Sequence, residues 1–210
     1  MAANIDSIFK LLDNWIQLPD YQLERRADIY FAMYLPIIIE KHFMLTEKIC
    51  YEQIIPELPL KQDGNNLSNK VDYAVFCKGK AYFVELKTTM NSIEGKQISY
   101  LKKNRDNKLK RVISDLFLLC DAKRKKDARR KYVNLIACLS DKRIDITRDT
   151  IPDGEIVVVY MLPKEPLGKT KELLHGVEII TFGDIIKYIE GEDELAKRFC
   201  KSLRTWRGEQ

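Results

Sequence analysis

Val71-Asp72-Tyr73-Ala74-Val75-Phe76-Cys77 and Ala81-Tyr82-Phe83-Val84-Glu85-Leu86-Lys87, joined by Lys78-Gly79-Lys80, decide the fold of this chain. Both runs are apolar and rich in β-branched or aromatic residues, as buried strands are. The short glycine-containing link between them suits a tight reversal. With Lys78-Gly79 as a two-residue turn, Cys77 faces Lys80, and counting outward by pairs sets Asp72 opposite Glu85. Directly opposed residues of an antiparallel pair have Cβ atoms about 4.5–5.5 Å apart. Lys87, two residues past Glu85, shares that face. Two carboxylates held so close are unfavourable unless a cation lies between them, and a divalent metal fits that role. The alternative reading is a cross-strand charge cluster without catalytic work.

Outward from the hairpin, the pattern alternates. Apolar residues at helical spacing (Ile5, Ile8, Phe9, Leu12, Trp15) predict a helix over residues 4–15. Pro19-Asp20 ends it, and Asp20 caps a second helix running to about Phe43, with Pro36 implying a kink or a fresh start. Residues 46–60 read as a strand, and Pro56 and Pro59 assign it to an edge or a bulge. Residues 61–68 form a loop. After the hairpin come a loop over 88–95 and one long amphipathic helix from about Lys96 to Cys120. A basic turn follows at 123–131, then an apolar strand over Tyr132–Leu139 and another over Glu155–Leu162. Short helices over Phe182–Ile189 and Asp193–Trp206 close the chain. The expected fold is α/β, an αβββαβ core whose mixed sheet is flanked by helices, with an extra N-terminal helix and a C-terminal β/α addition. A single domain over 1–210 is expected, with its core at about 20–140 and the addition at about 150–210.

Composition narrows the function classes. The chain has 210 residues, 45% hydrophobic and 32% charged, within the range of ordinary globular proteins. Its five cysteines are odd in number, widely spaced and without a C-x-x-C pair, which argues for reduced thiols in the cytoplasm rather than disulfides or a zinc ribbon. No signal-peptide pattern opens the chain, and no apolar run is long enough to span a bilayer. His42 and His175 lack an H-x-x-H partner, which disfavours zinc. Leu167-Gly-Lys-Thr170 lacks the upstream glycine of a phosphate loop and reads as a surface turn. Net charge is only +5, yet residues 102–131 hold thirteen Lys or Arg against four Asp. That excess suits a polyanion, with Lys123, Arg124, Lys125, Lys126, Arg129 and Arg130 as the candidate nucleic-acid contacts. A solvated helix face is the competing reading.

Asp72 followed after twelve residues by Glu85-Leu86-Lys87, placed behind a helix and a strand, resembles the PD-(D/E)XK nuclease superfamily. The resemblance covers residues 30–139 and lacks the leading proline, since Val71 precedes Asp72. It implies a restriction-endonuclease-like fold. It also implies a Mg²⁺ or Mn²⁺ ion on Asp72, Glu85 and the main-chain carbonyl of Leu86, with Lys87 steering the attacking water. Hard oxygen ligands without a nearby His or Cys point to the same metals. Many members carry a helix glutamate before the first strand, and Glu40, after three isoleucines, is the matching residue. It either faces the metal or ends its helix in solvent beside Lys41. Gln97-Ile-Ser-Tyr100 resembles the Gln/Tyr helix motif of RecB-like members with shorter spacing. Gln97 then orients water or phosphate, unless it is an ordinary helix-start residue. The implied activity is metal-dependent hydrolysis of phosphodiesters, DNA before RNA. A nuclease fold that only binds nucleic acid, or serves within an assembly or homodimer, is the alternative.

Overall fold

The structure, a computed structural model, describes residues 4–16, 18, 22–77, 79–141 and 153–208. Among them are eight α-helices and a five-stranded mixed open sheet of strand order β1-β2-β3-β4-β5. The strands are β1 (Ile54–Lys61), β2 (Ser68–Cys77), β3 (Lys80–Leu86), β4 (Glu155–Leu162) and β5 (Glu178–Thr181). The helices are α1 (Ile5–Trp15), α2 (Leu23–His42), α3 (Gly95–Asp106), α4 (Lys108–Asp121), α5 (Lys126–Asp141), α6 (Gly168–Leu173), α7 (Phe182–Ile189) and α8 (Glu194–Trp206). The fold is therefore α/β, as the hairpin and the flanking helical patterns imply. No helix among the described residues is long and apolar enough to cross a membrane.

Packing divides the chain into two compact units. The first comprises Met1–Tyr51, Leu86–Ile93 and Tyr160–Gln210. Its core is aromatic: Phe9, Phe31, Phe182 and Phe199 are fully buried, and Phe31 meets Phe199 edge-on with ring centroids 5.0 Å apart. Asp13 of α1 ties this cluster to α8 by accepting from Arg198 and from the indole of Trp206, each at 3.0 Å. The expected helix over Asp193–Trp206 is α8, and Asp193 is its cap, the side chain accepting from the Ala196 N–H. Pro36 lies inside α2, which runs unbroken around it. The expected break at Pro19-Asp20 lies outside the described residues, but the expected cap is corrected: Gln22, not Asp20, directly precedes α2.

The second unit comprises Glu52–Glu85 and Glu94–Val159. β1 and β2 pair antiparallel, as do β2 and β3, with Cys77 opposite Lys80 and Tyr73 opposite Val84. Gly79 takes φ +71, the left-handed conformation that a two-residue reversal requires. β1 is the edge strand and carries both prolines, where missing N–H donors cost no ladder bonds. Its first residues differ from expectation: 51–53 form a 3₁₀ turn, and the strand begins at Ile54.

Three expectations are corrected here. The expected long helix over 96–120 is two helices, broken where Lys108 adopts φ +63 after the polar run Asn104-Arg105-Asp106-Asn107. The expected strand over Tyr132–Leu139 is the second half of α5. Its composition is strand-like, but Tyr132, Leu135, Ile136 and Leu139 stand at i, i+3, i+4 and i+7 and are the less exposed positions of the segment. The helical period overrides the residue types, and the strand that follows the helices is β4. The surface turn expected at Leu167-Gly-Lys-Thr170 is instead the start of the short helix α6.

Candidate active site

Within the second unit, the register fixes the site. Tyr73 pairs with Val84, so Asp72 and Glu85 are the next residues outward on β2 and β3. Glu85 is 1% exposed and Asp72 half-buried. Both faces of β2 and β3 are buried here: Tyr73, Val75 and Val84 lie on one, Ala74, Phe76 and Phe83 on the other, and the acids share the second, which sets Glu85 in a largely water-excluded place.

Helix α3 supplies what surrounds them. Its apolar stripe, Ile98 and Leu101, is buried. Gln97, Tyr100 and Asn104, at i, i+3 and i+7, run along one flank. Gln97 Nε2 donates a hydrogen bond to Glu85 Oε1. The Tyr100 hydroxyl donates to the main-chain carbonyl of Lys70, two residues before Asp72 on β2. Burial first, and then the negative charges of Glu85 and Asp72, hold the Tyr100 phenol far above its ordinary pKa, so it stays a neutral donor. The helix that follows the hairpin thus grips both of its strands beside the acids.

A third carboxylate stands in the same row. Pro56 pairs with Tyr73 and Leu58 with Val71, which leaves Glu57 of β1 across from Asp72. Glu57 has φ +50, a strained conformation for a side-chain-bearing residue, and its exposed carboxylate pairs with Lys70 at 2.7 Å. Between Pro56 and Pro59, the backbone turns this acid toward Lys70 and solvent.

The remaining expected residues belong to the first unit. Leu86 and Lys87 follow Glu85 directly in the chain; both are buried, and the Lys87 N–H donates to Met161 O at 2.9 Å. A lysine only 6% exposed is costly without negative charge nearby. Glu40, 7% exposed, accepts from the Ile49 N–H at 2.6 Å and from Lys48 Nζ at 2.9 Å. This bonding holds the segment after α2 against the helix end and accounts for the burial of the acid.

The basic residues lie in the second unit, at the start of α5. Lys126, Arg129 and Arg130 are exposed on its first turns, and Lys123 Nζ sits over the Tyr132 ring, 5.2 Å from its centre. Cations at a helix N-terminus oppose the helix dipole. Asp127 offsets this only in part, 3.9 Å from Arg130.

The donor set fits a hard divalent cation. Asp72 and Glu85 offer carboxylate oxygens, the ligand type preferred by Mg²⁺ and Mn²⁺. Among the described residues, no group of three or more His, Cys, Asp and Glu is placed to hold a metal. An ion on Asp72 and Glu85 would therefore draw its other ligands from main-chain oxygen, phosphate and water, as Mg²⁺ commonly does. No family model, curated protein or solved structure matches the chain.

Proposed function

We propose that the protein is a metal-dependent nuclease that hydrolyses phosphodiester bonds, with DNA as its substrate. The observation that carries this reading is the convergence of Asp72 and Glu85 on adjacent strands, with Gln97 bonded to Glu85. The order of α2, three antiparallel-paired strands, helices and β4 supports a restriction-endonuclease-like core.

In this reading Asp72, Glu85 and the Leu86 carbonyl would hold a magnesium- or manganese-class ion. When bound, that ion polarises the phosphoryl group, lowers the pKa of water and neutralises developing charge. Gln97 orients the Glu85 carboxylate. Tyr100, kept protonated, fixes β2 through the Lys70 carbonyl and so sets Asp72. Lys87, two residues along from Glu85, directs the water and offsets charge on the phosphate. The basic start of α5 holds the nucleic-acid backbone without reading sequence.

The test is cleavage of plasmid, linear and single-stranded DNA with Mg²⁺, Mn²⁺ or EDTA. Cleavage is expected with either metal, none with EDTA, and a loss of about 10²-fold or more in Asp72→Ala, Glu85→Ala and Lys87→Ala. Retention of DNA without cleavage under all conditions would leave a nucleic-acid-binding module instead.

A further inference from the structure

We infer that the exposed apolar faces of α1 and α2 form the two-fold contact between two copies of this chain. The inference stands apart from the nuclease reading: every residue it uses lies in the first unit, and none belongs to the acid pair. Among the described residues, most of the large hydrophobic side chains left exposed fall between Ile5 and Tyr51. On α1 they are Ile5, Ile8, Leu11 and Trp15, 41–46% exposed, with Leu18 just beyond the helix. On α2 they are Ile29 and Met33, and Tyr51 joins them by donating its hydroxyl to the Met33 carbonyl at 3.0 Å.

The two strips border one line. Asp6 and Asp13 turn one flank of α1 toward α8, pairing with Arg198 at 3.2 and 3.0 Å. At about 100° per residue, Ile8, Leu11 and Trp15 fall on the opposite flank. Phe9, between the flanks, meets Phe199 of α8 and Tyr30 of α2, with ring centroids 5.9 and 4.5 Å apart. Helix α1 therefore lies between the other two, and the flank turned from α8 is the α2 side. On α2, half-buried Ile37, then Met33 and Ile29, follow Tyr30 around the helix away from its buried face. The exposed apolar side chains of both helices thus flank the seam between α1 and α2.

Area, spacing and charge point to a second copy as the occupant. A side chain of this size presents about 200 Å² when fully exposed, so at 38–63% exposure these eight present on the order of 750 Å². The largest apolar patch of a monomer is about 300–600 Å², whereas each partner of a standard interface buries about 800 Å². Ile8, Leu11 and Trp15 stand at i, i+3 and i+7, the spacing by which one helix seats against another of the same spacing. Charges beside such a seam set partner choice. Here Ser7 and Asn14 border it, and both are neutral, so two identical strips meet without opposing like charges. Arg26, at i−7 from Met33, stands at the rim, where interfaces are polar. A two-fold contact needs a surface that is its own complement, and this one is.

The experiment is sedimentation equilibrium of the full chain from about 1 to about 100 µM, with tryptophan emission followed over the same range. Interfaces of this area hold from micromolar to picomolar, so the native protein should be dimeric at about 10 µM. Trp206 is buried and Trp15 is exposed, so a shift of emission to shorter wavelength on association reports Trp15. Ile8→Glu with Leu11→Glu sets like charges against each other across the axis and should raise the dissociation constant at least about 100-fold. Ile8→Lys with Leu11→Lys should fail alone in the same way, and mixing the two variants should restore the dimer. Ile29→Lys, on the other helix, should also dissociate the dimer and covers the case in which the α1 variants fail to fold. A native chain that stays monomeric at about 100 µM would overturn the inference and leave the face to an unlike partner. A dimer that persists in Ile29→Lys and in either α1 variant, or oppositely charged variants that do not associate, would overturn it too. None of these readouts depends on DNA or metal, so they stand or fall apart from the nuclease reading.

Discussion

Gln97 on α3 donates its side-chain amide to the Glu85 carboxylate on β3, so a helix twelve residues further along the chain holds one acid of the pair in place. A carboxylate with one oxygen so fixed has lost most of its freedom before any ligand arrives. Gln97→Ala is expected to lower kcat about tenfold with KM little changed, because orientation is lost and binding is not. Gln97→Glu sets a like charge against Glu85, raises the pKa of the pair and moves the acidic limb of the pH–rate profile to higher pH. A rate profile unmoved in Gln97→Glu would show that the contact does not bear on the reaction.

Glu40 offers a contrast. Its Oε1 accepts from the Ile49 N–H, and its Oε2 from Lys48, whose side chain is 88% exposed. The exposed pair contributes little, whereas a buried N–H deprived of its acceptor costs about 1–3 kcal/mol. Glu40→Ala should therefore lower stability by about that amount in urea unfolding. Glu40→Gln retains an acceptor and should unfold within about 1 kcal/mol of the native protein, with DNA cleavage retained. Cleavage abolished in a stably folded Glu40→Gln would assign this acid to the metal.

The basic start of α5 should trade stability for binding. Arg129→Glu with Arg130→Glu removes two cations from a helix N-terminus, where each is unfavourable by about 0.3–1 kcal/mol. The double variant is expected to melt at a slightly higher temperature. It should bind DNA more weakly, with a salt dependence flatter by about one unit of slope for each lost phosphate contact. An unchanged slope would place this helix away from the nucleic acid.

Asp193 ties stability to acid pH. The Ala196 N–H bond at 2.7 Å is the main cause holding its carboxyl below the ordinary value; burial opposes it, and the Tyr34 hydroxyl at 2.8 Å adds to it. A carboxyl with a depressed folded-state pKa contributes stability that is complete above its unfolded value of about 3.9. That contribution is lost as pH falls through this value toward the lower folded one. Asp193→Asn should therefore show a shallower loss of stability than the native protein between about pH 5 and pH 3. Asp193→Ala should lose about 1 kcal/mol at neutral pH, the worth of an N-cap. Chemical denaturation across this pH range checks both.

Local patterns were enough for much of this protein. A reversal with Cys77 opposite Lys80 places Asp72 across from Glu85, because the residues of an antiparallel pair are matched one for one outward from the turn. The prolines of β1 require an edge for the same kind of reason. The helix over Asp193–Trp206 is legible in the sequence to within one residue of its start.

Other features depended on contacts distant in sequence. Tyr132–Leu139 carries strand-like residues, and the helical spacing of its apolar side chains showed its meaning only once α4 packed beside it. The break at Lys108 has no proline or glycine to announce it. The side-chain bonds of Glu40 to the 48–49 segment, of Gln97 to Glu85 and the turn of Glu57 toward Lys70 join residues that no local pattern couples. Periodicity belongs to neighbouring residues, so the chain alone can specify it; which polar groups meet depends on how separate elements pack, and only the folded structure decides that.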